Sequence, residues 1–115
     1  MQIVSFANKI TLADLSTMAK NRFGNLVKAV VDIEKEIMSI DAELHADEEA
    51  LLLEKGSRQE NLWGINIYPQ EKDDNFIEYD SMINVRPSVG NLSRGIENKK
   101  IKEKIIGIVG KLIKR

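Results

Sequence analysis

Between Asn61 and Tyr68 the side chains alternate without a break. Trp63, Ile65 and Ile67 fall on one side of an extended chain, Leu62, Gly64, Asn66 and Tyr68 fall on the other, and Pro69 closes the run. Successive side chains of a strand point to opposite faces and a proline ends pairing, so the segment predicts a strand with one aromatic and aliphatic face. That face has to be buried, which calls for flanking strands and for helices to cover them.

Other segments supply both. Phe76 to Arg86 repeats the pattern, with Ile77, Tyr79, Ile83 and Val85 on one side and Pro87 as terminator. Glu43 to Glu54, ending at Lys55-Gly56, reads as the first strand of the same meander, with Gly56 in the hairpin turn. Thr11 and Asp14 approximate a capping box ahead of Leu12, Leu15, Met18 and Ala19 at helical spacing, and Gly24 stops that helix. Asn25 to Ile40 shows alternation at Val27, Ala29, Val31 and Ile33, and also a helical stripe at Leu26, Val30, Ile33, Ile37 and Ile40. Its length and the Lys28/Asp32 spacing favour a second helix. From Asn98 onward, Ile101, Ile105, Ile108 and Leu112 form the stripe of an amphipathic helix. Gly107 and Gly110 weaken it by up to ~1 kcal/mol each and would let it lie close to the sheet. Gln2 to Phe6 adds an N-terminal edge strand. The expectation is an α+β fold in one domain over residues 1–115, in the order β-α-α-β-β-β-α. A three-stranded antiparallel meander packs against two N-terminal helices and one C-terminal helix.

A chain of 115 residues can bury most of its unfolded surface without crosslinks or metals. It has no cysteine, which excludes disulfides, thiolate nucleophiles and thiolate-bound zinc and makes the cytoplasm the default compartment. Neither a secretory leader pattern nor a stretch of ~20 apolar residues is present. Net charge is −1, which disfavours nucleic acid as a partner. Charge is nonetheless uneven. Asp41 to Glu54 holds six acids and no Lys or Arg, whereas Asn98 to Arg115 holds seven basic residues against Glu103.

If the meander buries one face, its other face carries Glu78, Asp80, Asn84 and Arg86, with Asn66 beside them. His45, Asp47 and Glu49 would share a face of the first strand. His45 and Asp47 are therefore the acid/base candidates for a hydrolytic site. A metal reading would add Glu49 or Asp80 as a third ligand, but with a single histidine and no thiol no metal is assigned. No nucleophile elbow surrounds Ser57, Ser81 or Ser93. The turn from Arg86 to Gly95 leads into the last helix, and Arg86, Asn91, Ser93 and Arg94, with Asn84, are candidates to bind an anion there. It matches no dinucleotide or P-loop fingerprint, so the cofactor is left open.

The stretches Glu43-Leu44-His45-Ala46-Asp47, Gly56-Ser57-Arg58-Gln59-Glu60, Leu62-Trp63-Gly64 and Ile83-Asn84-Val85-Arg86-Pro87, followed by Gly90-Asn91 and Ser93, resemble a family of small prokaryotic proteins classed as a domain of unknown function. The resemblance runs from about Leu26 to Ile113. It implies no activity, cofactor or partner. The family pattern has Asp-Gly at the first hairpin, Asp after the Glu of the second strand, and Gly-Asn-Arg-Ser in the last turn. This chain has Lys55-Gly56, Asn61 and Leu92 there.

Three functions are compatible with these residues. One is a small-molecule or anion-binding domain with hydrolytic potential, and the second is an interaction or self-association module working as a homodimer. The third rests only on element order, which is similar to that of RelE/ParE-type ribonuclease toxins.

Overall fold

Val27–Asp32 (β3) and Ile37–Ile40 (β4) form an antiparallel hairpin at the centre of the computed structural model, which describes residues 1–115. This segment reads as a helix from sequence because β3 is buried on both faces. Val27, Ala29 and Val31 enter one core while Val30 enters another, so the alternation is masked by apolar residues on both sides. β-Branched residues favour the strand. Asp32, which looked like half of a helical ion pair, sits at the hairpin turn, where its Oδ1 accepts from the backbone N–H groups of Glu34 and Lys35 at 2.9 Å each.

The remaining elements in chain order are Gln2–Val4 (β1), Ile10–Thr11 (β2), Leu12–Arg22 (α1), His45–Glu54 (α2), Leu62–Ile67 (β5), Ile77–Glu78 (β6), Lys99–Leu112 (α3) and Ile113–Lys114 (β7). They give an α+β fold with three helices and a five-stranded antiparallel sheet in the order β1-β4-β3-β5-β6. β2 and β7 pair separately and in parallel. The edge strand at β1, the Thr11 cap on Asp14 N–H and the final helix stand where the sequence places them. The predicted order β-α-α-β-β-β-α does not, and with it goes the element-order likeness to the toxins.

Residues 43–54 are mostly helix rather than strand. Gly56, at φ +97°, ends α2 in the left-handed conformation rather than turning a hairpin, and Gly56 and Ser57 N–H groups return to the Leu53 and Leu52 carbonyls. The predicted third strand survives only as Ile77–Glu78. Beyond it the chain winds through 3-10 turns at Met82–Asn84 and Pro87–Val89.

Two cores result. The larger lies between the sheet and α1 with α3 and contains Trp63, Ile65, Ile67, Leu15, Ile105 and Leu112. The smaller lies under α2, where Val30, Leu52 and Leu62 meet, with Ile3, Ile37 and Ile83 against them. Ile77 and Tyr79 join the large core as expected, but Ile83 joins the small one and Val85 is exposed. The second sheet face is thus covered rather than wet. No helix is long and apolar enough to cross a membrane.

Gly64 is the glycine this packing requires. A Cβ there would lie 2.6 Å from the Cβ and Oγ of Ser81, closer than real atoms approach. At Gly107 and Gly110 a Cβ would meet nothing within 4 Å, so close packing on the sheet is not their purpose. Gly107→Ala should therefore stabilise the protein by about 0.5–1 kcal/mol through helix propensity, and Gly64→Ala should destabilise it by about 1–3 kcal/mol through overpacking. Urea denaturation of the two variants tests both signs.

Candidate functional site

Because α2 is a helix, His45 and Asp47 point apart. Their spacing of two, which would put them on one side of a strand, turns them roughly 200° from each other on a helix. His45 is buried against the sheet and Asp47 is exposed, so the acid/base pair proposed from spacing is not assembled. The residues on the inward face are His45, Glu48, Glu49 and Leu52, at i, i+3, i+4 and i+7. His45 Nε2 lies 2.8 Å from the Ile65 carbonyl, and since a carbonyl only accepts, the ring carries its proton on Nε2 and donates it. Burial lowers its pKa, which keeps it neutral.

Glu48 is fully buried, and its Oε2 accepts from Ala42 N–H at 3.1 Å. Loss of water pushes its pKa up to about 9, so it is a neutral carboxylic acid at pH 7. Its Oε1 finds no protein partner, and neither does Ser39 Oγ. Glu49 lies 3.8 Å from the Arg86 guanidinium, both largely buried. Arg86 stacks 4.7 Å over the Trp63 ring, and its Nη2 donates to the Leu62 carbonyl. His45 and Arg86 therefore both attach to β5, at different points, and neither lines the groove described below.

The turn expected to hold an anion is built around its own side chains. Asn84, fully buried, accepts from Gly64 N–H at 2.8 Å and donates to the Gly64 and Arg94 carbonyls at 2.9 and 3.0 Å. Asn91 donates to the carbonyls of Asn84, Ser93 and Gly95 and accepts from Glu97 N–H. The exposed Ser93 Oγ accepts from Gly95 N–H, and Arg94 pairs with Asp80 at 2.7 Å. The anion at this turn is the Glu97 carboxylate, which accepts from Leu92 and Ser93 N–H at 2.7 and 3.2 Å. Asn98 caps α3 through Lys100 and Ile101 N–H. Most of the donors that made the turn attractive are thus engaged within the chain, while Arg86 Nη1 finds no protein partner.

An open groove lies elsewhere. A cavity of about 840 Å³ runs between α3 and the segment from Lys72 to Tyr79, with Phe76, Ile77, Tyr79, Ile106 and Val109 as its apolar wall. Lys72, Lys99, Lys102 and Arg115 border it together with Asp73, Asp74 and Glu103. Burial and the nearby Asp74 raise the Tyr79 pKa, which keeps its hydroxyl protonated. The sequence shows the basic helix face, but not that residues 72–79 run alongside it, because the intervening chain reads there as a long strand.

The chain belongs to the family described as a protein of unknown function (DUF5674), whose model matches residues 3–112. Comparison with curated proteins and with solved structures gives no match.

The buried acid makes stability depend on pH in a definite direction. Between the ordinary value of 4.5 and about 9 the folded chain keeps the Glu48 proton that the unfolded chain releases, so stability falls as pH rises through that window. Glu48→Gln, which is neutral and of similar shape, should remove on the order of 4 kcal/mol of this decline between about pH 5.5 and about pH 8.5. His45 acts in the opposite sense, with stability lost as pH falls below 6.5, and contributes equally to both proteins. Parallel urea titrations with equal slopes against pH for the two proteins would contradict the assignment of Glu48 as a neutral acid.

Proposed function

We propose that the chain is a small-molecule-binding domain whose site is the groove between α3 and the segment 72–79. One observation carries this reading: the groove has about 840 Å³ of open space against an aromatic and aliphatic wall, while three other surface cavities enclose about 440 to 520 Å³. Ligand sites typically span roughly 300–1,000 Å³ and combine an apolar wall with a few polar groups. Ile106 projects into this space and is 55% exposed, the only large aliphatic of α3 left so open. Gly110 lies on the same wall, and its missing side chain keeps the groove wide.

The groove can be filled without disturbing the core, since a Cβ at Gly110 meets nothing. A thermal-shift screen of metabolites should yield compounds that stabilise the native chain and have no effect on Gly110→Leu. Compounds that stabilise both proteins equally would place binding elsewhere, and a screen with no stabilising compound would count against the reading.

A second reading, protein interaction or self-association, is favoured by a different surface. Met82, Val89 and Leu92 are 66%, 67% and 69% exposed on a turn that Asn84 and Asn91 hold rigid. Apolar side chains presented on an ordered loop suit a protein contact that loses little entropy on forming. Light scattering of the native chain and of Leu92→Arg tests it. A homodimer reduced to monomer by the substitution is expected, and a native chain that is monomeric at high concentration would remove self-association.

A further inference from the structure

Granting that the groove along α3 is a ligand site, we propose that its ligand is an organic anion with a planar apolar body, the acid group paired with Lys102 and Arg115 and the ring laid on Tyr79 and Phe76. Four cations converge on the groove from separate parts of the chain: Lys72 from the facing turn, Lys99 and Lys102 from the start of α3, and Arg115 from beyond its end. None of them has a carboxylate within ion-pair distance. Arg115 is the one arginine of the chain without a carboxylate partner, whereas Arg22, Arg58, Arg86 and Arg94 are all paired. Asp73, Asp74 and Glu103 border the same groove yet leave the four cations free.

Two of those cations rest on the aromatic floor. Lys102 Nζ lies 5.2 Å from the centre of the Tyr79 ring, and the Arg115 guanidinium lies 4.8 Å from that of Phe76. Ring faces hold cations weakly where water has access, so an acid group outcompetes them for Lys102 and Arg115. Once the cations swing to the acid, both ring faces are uncovered for a flat ligand, and offset stacking takes the place of the cation contact. A neutral ligand would have to displace the same cations without offering them a partner. A purely inorganic anion would leave the apolar wall unused. The groove therefore fits both halves of the ligand at once. Its acid could be a phosphate, as on a nucleotide, or a carboxylate on an aromatic ring.

The test uses two dyes that share their rings and differ in charge, anilinonaphthalene sulfonate and the neutral phenylnaphthylamine, titrated by fluorescence against the folded full chain. The sulfonate should bind at least about tenfold more tightly than the neutral dye. Lys102→Gln at a half-buried position combined with Arg115→Gln at an exposed one should remove about that tenfold preference, while circular dichroism shows the fold intact. Gly110→Leu should abolish binding of both dyes. Equal affinity for the two dyes, with both lost in Gly110→Leu, overturns the anion assignment but leaves the groove standing. Binding of both dyes undiminished in Gly110→Leu overturns the groove itself. Adenosine monophosphate and naphthoate then compete with the bound sulfonate. Displacement by one of them supports the assignment and identifies the acid as phosphate or carboxylate, and displacement by neither overturns it.

Discussion

The exposed edge of β5 is closed by a side chain. β5 pairs with β3 along its whole length, but on its other side β6 reaches only Asn66 and Ile67. At Gly64 the Asn84 amide completes the pairing, accepting from the N–H and donating to the carbonyl as a neighbouring strand would. Each buried backbone group left unpaired costs roughly 1–3 kcal/mol, so this one side chain protects the strand at its most vulnerable point. The pairing requires close approach, which is why position 64 has no Cβ and why Ser81 fills the space instead. The rest of the turn follows from this anchor, since Asn91 holds the Asn84 carbonyl and Glu97 caps the amides after it.

Covering the second sheet face sets the protonation of α2. Leu52 is the only large apolar side chain that this helix buries completely, and burying such a side chain contributes about 1.5–3 kcal/mol. A charged Glu48 in the same interface would cost on the order of several kcal/mol, more than Leu52 supplies. The helix docks because its inward polar groups are neutral or paired. His45 donates to a backbone carbonyl, Glu48 keeps its proton, and Glu49 faces Arg86. The one ionic contact on this face is stacked on Trp63, where the flat guanidinium adds packing as well as charge.

The same feature explains what could be read from the sequence. The N-terminal edge strand, the Thr11 cap and the stripe of α3 were legible because each has an open side or carries a local hydrogen-bonding signature, and β5, although buried on both faces, because Gly64 and Asn66 break the apolar run on one of them. The hairpin of β3 and β4 was not, because residues buried on both faces erase the alternation that distinguishes strand from helix. The sign of α2 was present in Ala46, Ala50, Leu51, Leu52 and Leu53 with Glu48, Glu49 and Glu54, all good helix formers, but the apolar residues lie around the whole helix and its buried face is partly acidic. Asn84, Arg86 and Asn91 were singled out in the sequence as candidates to bind an anion. The hydrogen bonds they make are internal, and sequence cannot distinguish a polar residue that holds a strand edge from one that holds a ligand.

The groove along α3 follows a different rule from the rest of the chain. Gly64 has a neighbour that demands it, whereas Gly110 has none, although a glycine inside a helix costs roughly 0.5–1 kcal/mol relative to alanine. α3 is held to the large core by Ile105, Ile108, Val109 and Leu112, and its end is tied to β2 through β7. Its attachment therefore does not need the face that carries Ile106 and Gly110. That face combines an exposed aliphatic residue, a helical glycine with open space beside it and cations without acidic partners. A ligand laid along the wall would cover the first, fill the space beside the second and pair with the third.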